Sequence, residues 1–270
     1  MKNKFKDILI VSDIDGTLLG SDNHIPKRNL EMIEYFITNG GNFTIATARD
    51  TQSSKRFYKE LSIKIPCILC NGAMIYDFEN DNFINCEYLH ESSIKCIEDI
   101  KINFPDVGIK IVCEKELFYL NKTKYTDFFD QKYNLTYELK NIKKIPDNTN
   151  KIVFISEEMV QNNIINYIKN NPIFENFNIS PTEKFLLEIM QKNVSKGSGL
   201  KKLQKHLNIS SENTYAIGDY YNDIEMFEVA GNAVTVLNAP DDIKEKCDLI
   251  MGDFNNGAVA DLIKYIDKNL

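Results

Sequence analysis

The chain has 270 residues, of which 43% are hydrophobic, 26% charged and 11% aromatic. That length fits one large α/β domain or two ordinary domains, and the composition excludes a disordered segment, a collagen-like repeat or a coiled coil. A formal charge of −7, from 32 basic against 39 acidic residues, lacks the basic excess of a general nucleic-acid binder.

The opening stretch MKNKFKDILIVSD holds an apolar run too short for a signal or membrane helix before it reaches an aspartate. Cys67, Cys70, Cys86, Cys96, Cys113 and Cys247 are spread along the chain without a disulfide-framework spacing. A cytoplasmic protein with free thiols and no membrane partner is expected. Only Arg28, Arg49 and Arg56 are arginines, so an arginine here carries more information than a lysine.

The run Ile8 to Ser12 is continuously apolar and reads as a strand buried on both faces, followed by Asp-Ile-Asp-Gly-Thr. After Pro26, Leu30, Ile33 and Ile37 repeat at helical spacing until Asn39-Gly40-Gly41. Asn42 to Thr47 is a second strand. A helical stretch through Phe57 and Leu61 leads to a third, Ile65 to Cys70, which ends at the turn signal Asn71-Gly72. This β-α-β-α-β order predicts a parallel sheet, with Asp13 and Thr47 at the carboxyl ends of strands, the usual place for a site.

From about Phe78 to about Glu188 the connections lengthen and aromatics become denser. Strand-like GIKIVC, KIVFIS and FLLEIM alternate with amphipathic SSIKCIEDI and NNIINYI, which predicts a separate α+β unit. Phe118, Tyr119, Tyr125 and Phe128 in it fit core packing or a pocket wall equally well. After Ser195 the α/β rhythm resumes. It runs through a helix with Leu200, Leu203 and Leu207, strand TYAIGD, a helix from Asp223 to Ala230, strand AVTVL, helix PDDIKEK, strand LIM and a final helix GAVADLIKYI. One domain is thus split by the insertion of another.

Asp13 leaves a buried strand, where an unpaired charge is costly, and Gly218-Asp219-Tyr220-Tyr221-Asn222-Asp223 follows a second apolar strand. Carboxylates from two strand ends can complete one hard-cation site, and magnesium suits one or two carboxylates with water and a phosphate oxygen. Cys67-Ile-Leu-Cys70 has redox-motif spacing, but i and i+3 on a strand face opposite sides. His24, His90 and His206 are scattered, with no pairing that suggests zinc.

Asp13-Ile-Asp-Gly-Thr-Leu18, Thr44-Ile-Ala-Thr-Ala-Arg49, Ser195-Lys196-Gly197 and Gly218-Asp-Tyr-Tyr-Asn-Asp223 resemble, in order, the four motifs of the haloacid dehalogenase superfamily. Asn71-Gly-Ala-Met-Ile-Tyr-Asp77, Asn238-Ala239 and Asn256-Gly257-Ala-Val are similar to its Cof-type phosphatases. The resemblance implies an α/β protein with a Rossmann-like parallel-sheet core, residues 1–78 and 187–270, and an inserted α+β cap, residues 79–186, whose inner face sets substrate choice.

It further implies a Mg2+-dependent phosphomonoester hydrolase acting through an aspartyl-phosphate on a small phosphorylated metabolite, sugar phosphates first. Asp13 is then the nucleophile. Asp15 is the general acid and base, and Lys196 the neutralising cation in the first turn of a helix capped by Ser195. Asp13, Asp15 (through its backbone carbonyl) and Asp219 hold the metal, with Asp223 behind them holding ligands or Lys196. Ile14, Thr47, Ala48, Arg49, Lys196 and Asn222 meet the phosphate or substrate. Arg49 fits equally well as a surface arginine at a helix start. Ala48 stands where the family usually has glycine, which is tolerable if the backbone there keeps a negative φ.

A phosphomutase, a nucleotide or pyridoxal phosphatase, and a non-catalytic phosphate-ester-binding regulator are the alternatives. Oligomeric state is not readable from the sequence, and Tyr220 and Tyr221 beside the acidic cluster stay ambiguous.

Overall fold

A computed structural model describes residues 3–133, 137–183 and 185–270. The chain starts with β1 (Leu9–Ser12), α1 (Lys27–Thr38), β2 (Asn42–Ile45), α2 (Thr51–Glu60), β3 (Cys67–Leu69), β4 (Met74–Asp77) and β5 (Asn82–Cys86). It continues through α3 (Ser93–Asn103), β6 (Gly108–Cys113), β7 (Leu117–Asn121), α4 (Lys124–Tyr133), β8 (Glu138–Leu139), β9 (Thr149–Ile155), α5 (Glu158–Lys169), β10 (Phe177–Glu183) and β11 (Leu186–Gln191). It ends with α6 (Lys196–Leu207), β12 (Thr214–Gly218), α7 (Ile224–Val229), β13 (Asn232–Val236), α8 (Asp241–Lys244), β14 (Leu249–Met251) and α9 (Ala258–Asn269).

Two compact units result, Met1–Asn85 with Ser195–Leu270, and Cys86–Val194. The first contains a parallel five-stranded sheet in the order β14-β13-β12-β1-β2. Its central strand β1 is buried at all four residues, as a doubly covered parallel strand must be. Parallel pairing places the carboxyl ends of β1, β2, β12 and β13 at one edge, and Asp13 and Asp219 both lie one residue past such an end. The third strand expected in this sheet, β3, touches it through a single parallel bridge, Ala46 to Ile68. Its ladder is instead antiparallel with β4, because Cys70 and Asn71 take positive φ and turn the chain back at the Asn-Gly signal.

The inserted unit is built on a six-stranded sheet in the order β10-β11-β9-β6-β7-β8. The predicted strands GIKIVC, KIVFIS and FLLEIM correspond to its central neighbours β6, β9 and β11. One face packs Ile109, Ile111, Phe118, Ile152, Phe154, Leu187 and Ile189 with Ile97, Ile100, Ile164 and Ile168 from α3 and α5. Phe118 and Tyr119 are buried, whereas Phe128 is exposed. β11 reaches Gln191 within this sheet, so the second crossing between the units falls at residues 194–195.

All six cysteines are free. No helix among the described residues is long and apolar enough to cross a membrane.

Candidate active site

Backbone geometry brings the acidic residues together before any side chain is considered. The Asp13 amide donates to the Ile217 carbonyl at 2.9 Å, which extends the β1–β12 ladder by one residue. Asp13 is thereby drawn beside the loop that starts at Asp219. The chain then folds under itself, with the amides of Thr17, Leu18 and Leu19 all donating to the Ile14 carbonyl. Gly16 makes this turn possible. Its φ is +88°, and a Cβ there would strike the Asp219 carboxylate. Thr17 Oγ1 donates to Asp219 Oδ1 at 3.1 Å, and Asn238 Nδ2 donates to the Gly16 carbonyl at 2.9 Å.

Lys196 opens α6, whose N-cap Ser195 forms a reciprocal capping box with Ser198. Its ammonium is fully buried and donates to Asp13 Oδ1 at 2.5 Å and Asp223 Oδ1 at 2.7 Å. The other oxygen of Asp223 accepts from the amides of Asp219 (3.0 Å) and Tyr220 (3.1 Å), so one carboxylate fixes both the loop and the lysine. Gly197 lets α6 approach α7, since a Cβ there would strike the Glu225 backbone.

Carboxylate oxygens of Asp13, Asp219 and Asp223 lie within 4.8 Å of one another. Burial raises Asp13 well above the usual carboxylate range. Lys196 pulls it back down, and Asp223, Asp219 and Asp15 push it further up. Asp219 is pushed up to about 7 by burial and then by Asp223, against the pull of Lys196 and Thr17. Burial pulls Lys196 down, but Asp13 and Asp223 outweigh it and keep the ammonium pKa above its ordinary value. The lysine is therefore charged, and it is shared among more carboxylates than it can neutralise.

The Asp15 carboxylate lies outside that group, on the exposed side of the turn. Arg49 grips it with two prongs, Nε to Oδ2 at 2.9 Å and Nη2 to Oδ1 at 2.6 Å. The guanidinium also sits 5.3 Å from the Phe57 ring centre. Thr47 is buried two residues past β2, and its Oγ1 accepts from the Arg49 amide at 3.2 Å. The backbone at Ala48 does not take a positive φ, so its methyl group sits there without strain. Ile14 is fully buried, and its carbonyl serves the turn.

Asn222 donates to Asn71 Oδ1 at 3.2 Å. The Asn71 amide in turn donates to the Thr47 carbonyl at 2.9 Å, so the β3–β4 turn joins the Thr47 and Asn222 segments. Sequence reasoning assigned no site position to Asn71, Thr17 or Asn238. For Asn71 the available signals were an asparagine before glycine, read as a turn, and its place at the start of a stretch similar to the Cof-type phosphatases, neither of which gave it a role.

The haloacid dehalogenase-like hydrolase family model matches residues 10–263. The Bacillus subtilis 5-amino-6-(5-phospho-D-ribitylamino)uracil phosphatase YcsE is 27% identical over 259 residues, covering 95% of this chain and 94% of that protein. A haloacid dehalogenase-like hydrolase from Bacteroides thetaiotaomicron shares the fold at a TM-score of 0.86 and 22% identity, over 96% of this chain and 99% of that one. The HAD subclass IIB sugar phosphatase BT4131 does so at a TM-score of 0.81 and 18% identity, over 96% and 99%.

A split parallel-sheet core of this kind, with relatives of matching length along the whole chain, defines an enzyme of the phosphatase class. The chain belongs to the haloacid dehalogenase-like hydrolase family.

Proposed function

We propose that this phosphatase is Mg2+-dependent, forms an aspartyl-phosphate on Asp13, and acts on small phosphorylated metabolites, sugar phosphates foremost. The observation that carries the reading is the buried Lys196 ammonium shared by Asp13 and Asp223 with Asp219 alongside. Three carboxylates face one ammonium there, an excess of two negative charges that a divalent cation matches. An all-oxygen donor set of this kind suits magnesium. Asp13 and Asp219 would hold the ion, with Asp15 contributing its backbone carbonyl and Asp223 fixing the loop behind. When bound, the cation supplies positive charge next to the phosphoryl oxygens.

The remaining chemistry is carried by the chain's own residues. An Asp13 carboxylate oxygen attacks phosphorus while the bond to the ester oxygen breaks, and Asp15 gives a proton to the departing oxygen. Asp15 then takes a proton from the water that attacks the aspartyl-phosphate, which releases phosphate and restores Asp13. Lys196 neutralises Asp13 and the oxygens on which charge builds. Thr47, the amides of Ile14 and Ala48, and Asn222 hold the phosphoryl group. Arg49 holds Asp15 in place between these steps.

The inserted unit is read as the cap that selects the leaving group. YcsE is named for an ester carried on a ribityl chain, a sugar-alcohol phosphate, which falls in the proposed substrate class. Six free cysteines suit the reducing cytoplasm proposed for the protein. The test is phosphate release from a panel of sugar phosphates with Mg2+ and with chelator. Mg2+-dependent turnover supports the reading, and equal turnover in both conditions overturns the metal requirement.

A further inference from the structure

Three consecutive residues between β3 and β4 take positive φ, Cys70 at 49°, Asn71 at 50° and Gly72 at 95°. Glycine does this freely and asparagine tolerates it, so a turn alone would account for the pair Asn71-Gly72. Asn71, however, is only 2% exposed, and its side chain makes a bond that the turn does not require. Residues held in sparsely populated backbone regions gather at functional sites.

The turn is wedged among the segments that carry the proposed phosphate contacts. The amides of Cys70 and Asn71 donate to the carbonyls of Arg49 and Thr47, each at 2.9 Å. A Cβ on Gly72 would strike the carbonyl of Ser195, the N-cap of the helix that begins at Lys196. The Asn71 side chain reaches the last of these segments, where Oδ1 accepts from Asn222 Nδ2 at 3.2 Å. Asn222 lies in a single helical turn, Tyr221–Asp223, and is half-buried. The last torsion of an asparagine has broad preferences, so the plane of its amide is set by its partners. One N–H of the Asn222 amide is engaged by Asn71, and the second belongs to the same rigid plane.

We propose that Asn71 is a positioning residue of the phosphate site, whose Oδ1 sets the plane of the Asn222 amide so that the second N–H of Asn222 meets a phosphoryl oxygen. The inference rests on the phosphatase reading above, in which Asn222 holds that group. A hydrogen bond to a charged oxygen is among the stronger ones, and a donor already held in direction loses little freedom when the anion arrives.

The experiment uses Asn71→Gly, Asn222→Ala and the double variant, with inorganic phosphate as the probe. Glycine accepts a φ of 50° and keeps the backbone amide that bonds Thr47, so the side-chain amide alone is lost and the melting temperature is expected to stay within a few degrees of wild type. In Asn71→Gly the Ki of phosphate as a competitive inhibitor, and the KM of the fastest ester in the sugar-phosphate panel, are expected to rise about tenfold with kcat within about twofold. Asn222→Ala gives a similar rise, and adding Asn71→Gly to it changes KM and Ki by less than about twofold, because Asn71 acts through the amide already removed. Wild-type KM and Ki in Asn71→Gly, or effects that multiply in the double variant, overturn the positioning role and leave the phosphatase reading standing. A wild-type protein that releases no phosphate from any ester of the panel overturns both.

Discussion

Arg49 closes a two-pronged ion pair on Asp15, across 34 residues of sequence, with both contacts under 3 Å. The pair is half open to water, so its effect on stability is small, about 0–1 kcal/mol. Its effect on function follows from geometry, because it holds in one orientation the Asp15 carboxylate that takes the proton from the attacking water. Arg49→Ala is expected to lower kcat/KM about 10- to 100-fold with the melting temperature nearly unchanged. Arg49→Lys keeps the charge, loses the fork and recovers only part of that loss. Steady-state kinetics beside a thermal melt separate these outcomes; a wild-type rate in Arg49→Ala would remove the positioning role.

Lys196 presents the opposite case, since it is buried and binds two carboxylates. Lys196→Met leaves Asp13 and Asp223 without their cation, and kcat is expected to fall about 100- to 1,000-fold. In chelator the variant is expected to lose about 3–5 kcal/mol of stability in urea denaturation. A variant as stable and as active as wild type would show that the carboxylates do not depend on the lysine.

Magnesium removal has a predicted sign. With three carboxylates around one ammonium, the metal-free site is electrostatically strained, and Asp219→Asn relieves it. Asp219→Asn is therefore expected to be more stable than wild type in chelator, by about 1 kcal/mol, while losing activity. Mg2+ at about a hundredfold its Kd is expected to stabilise wild type by about 2.7 kcal/mol and the variant by much less. Melts with and without Mg2+ check both signs, and equal stabilisation of the two proteins would displace Asp219 from the metal site.

The strand-end positions were legible because ILIVS and TYAI are continuous apolar runs that end on aspartates, and burial on both faces admits little else there. Ser195 was legible as a cap from its place before a leucine-patterned helix. The Arg49 grip on Asp15 and the Asn71–Asn222 bond were not, because each joins segments distant in sequence through side-chain directions that no local period encodes. In the inserted unit, β10 was hidden by Pro181, which argues against a strand interior; as the edge strand of its sheet it tolerates the missing donor. β7 is apolar at four successive positions, so it shows no alternation to read.

The cysteines give a prediction about reactivity. Burial pushes the Cys67 thiol up to about 12, and Cys86 and Cys96 reach the same value for the same first cause. At pH 8 these thiols are protonated, so iodoacetamide is expected to label them slowly in the native protein and readily in guanidinium. Fast native labelling of Cys67, followed by peptide mass analysis, would contradict this account of its surroundings.

The most direct test of the central claim is Mg2+-dependent phosphate release by Asp13→Asn beside wild type. The substitution keeps the size of the side chain and removes the attacking carboxylate. The account predicts loss of turnover by at least about a thousandfold with a folded protein by circular dichroism. Near wild-type phosphate release by Asp13→Asn would show that no aspartyl-phosphate forms at this position.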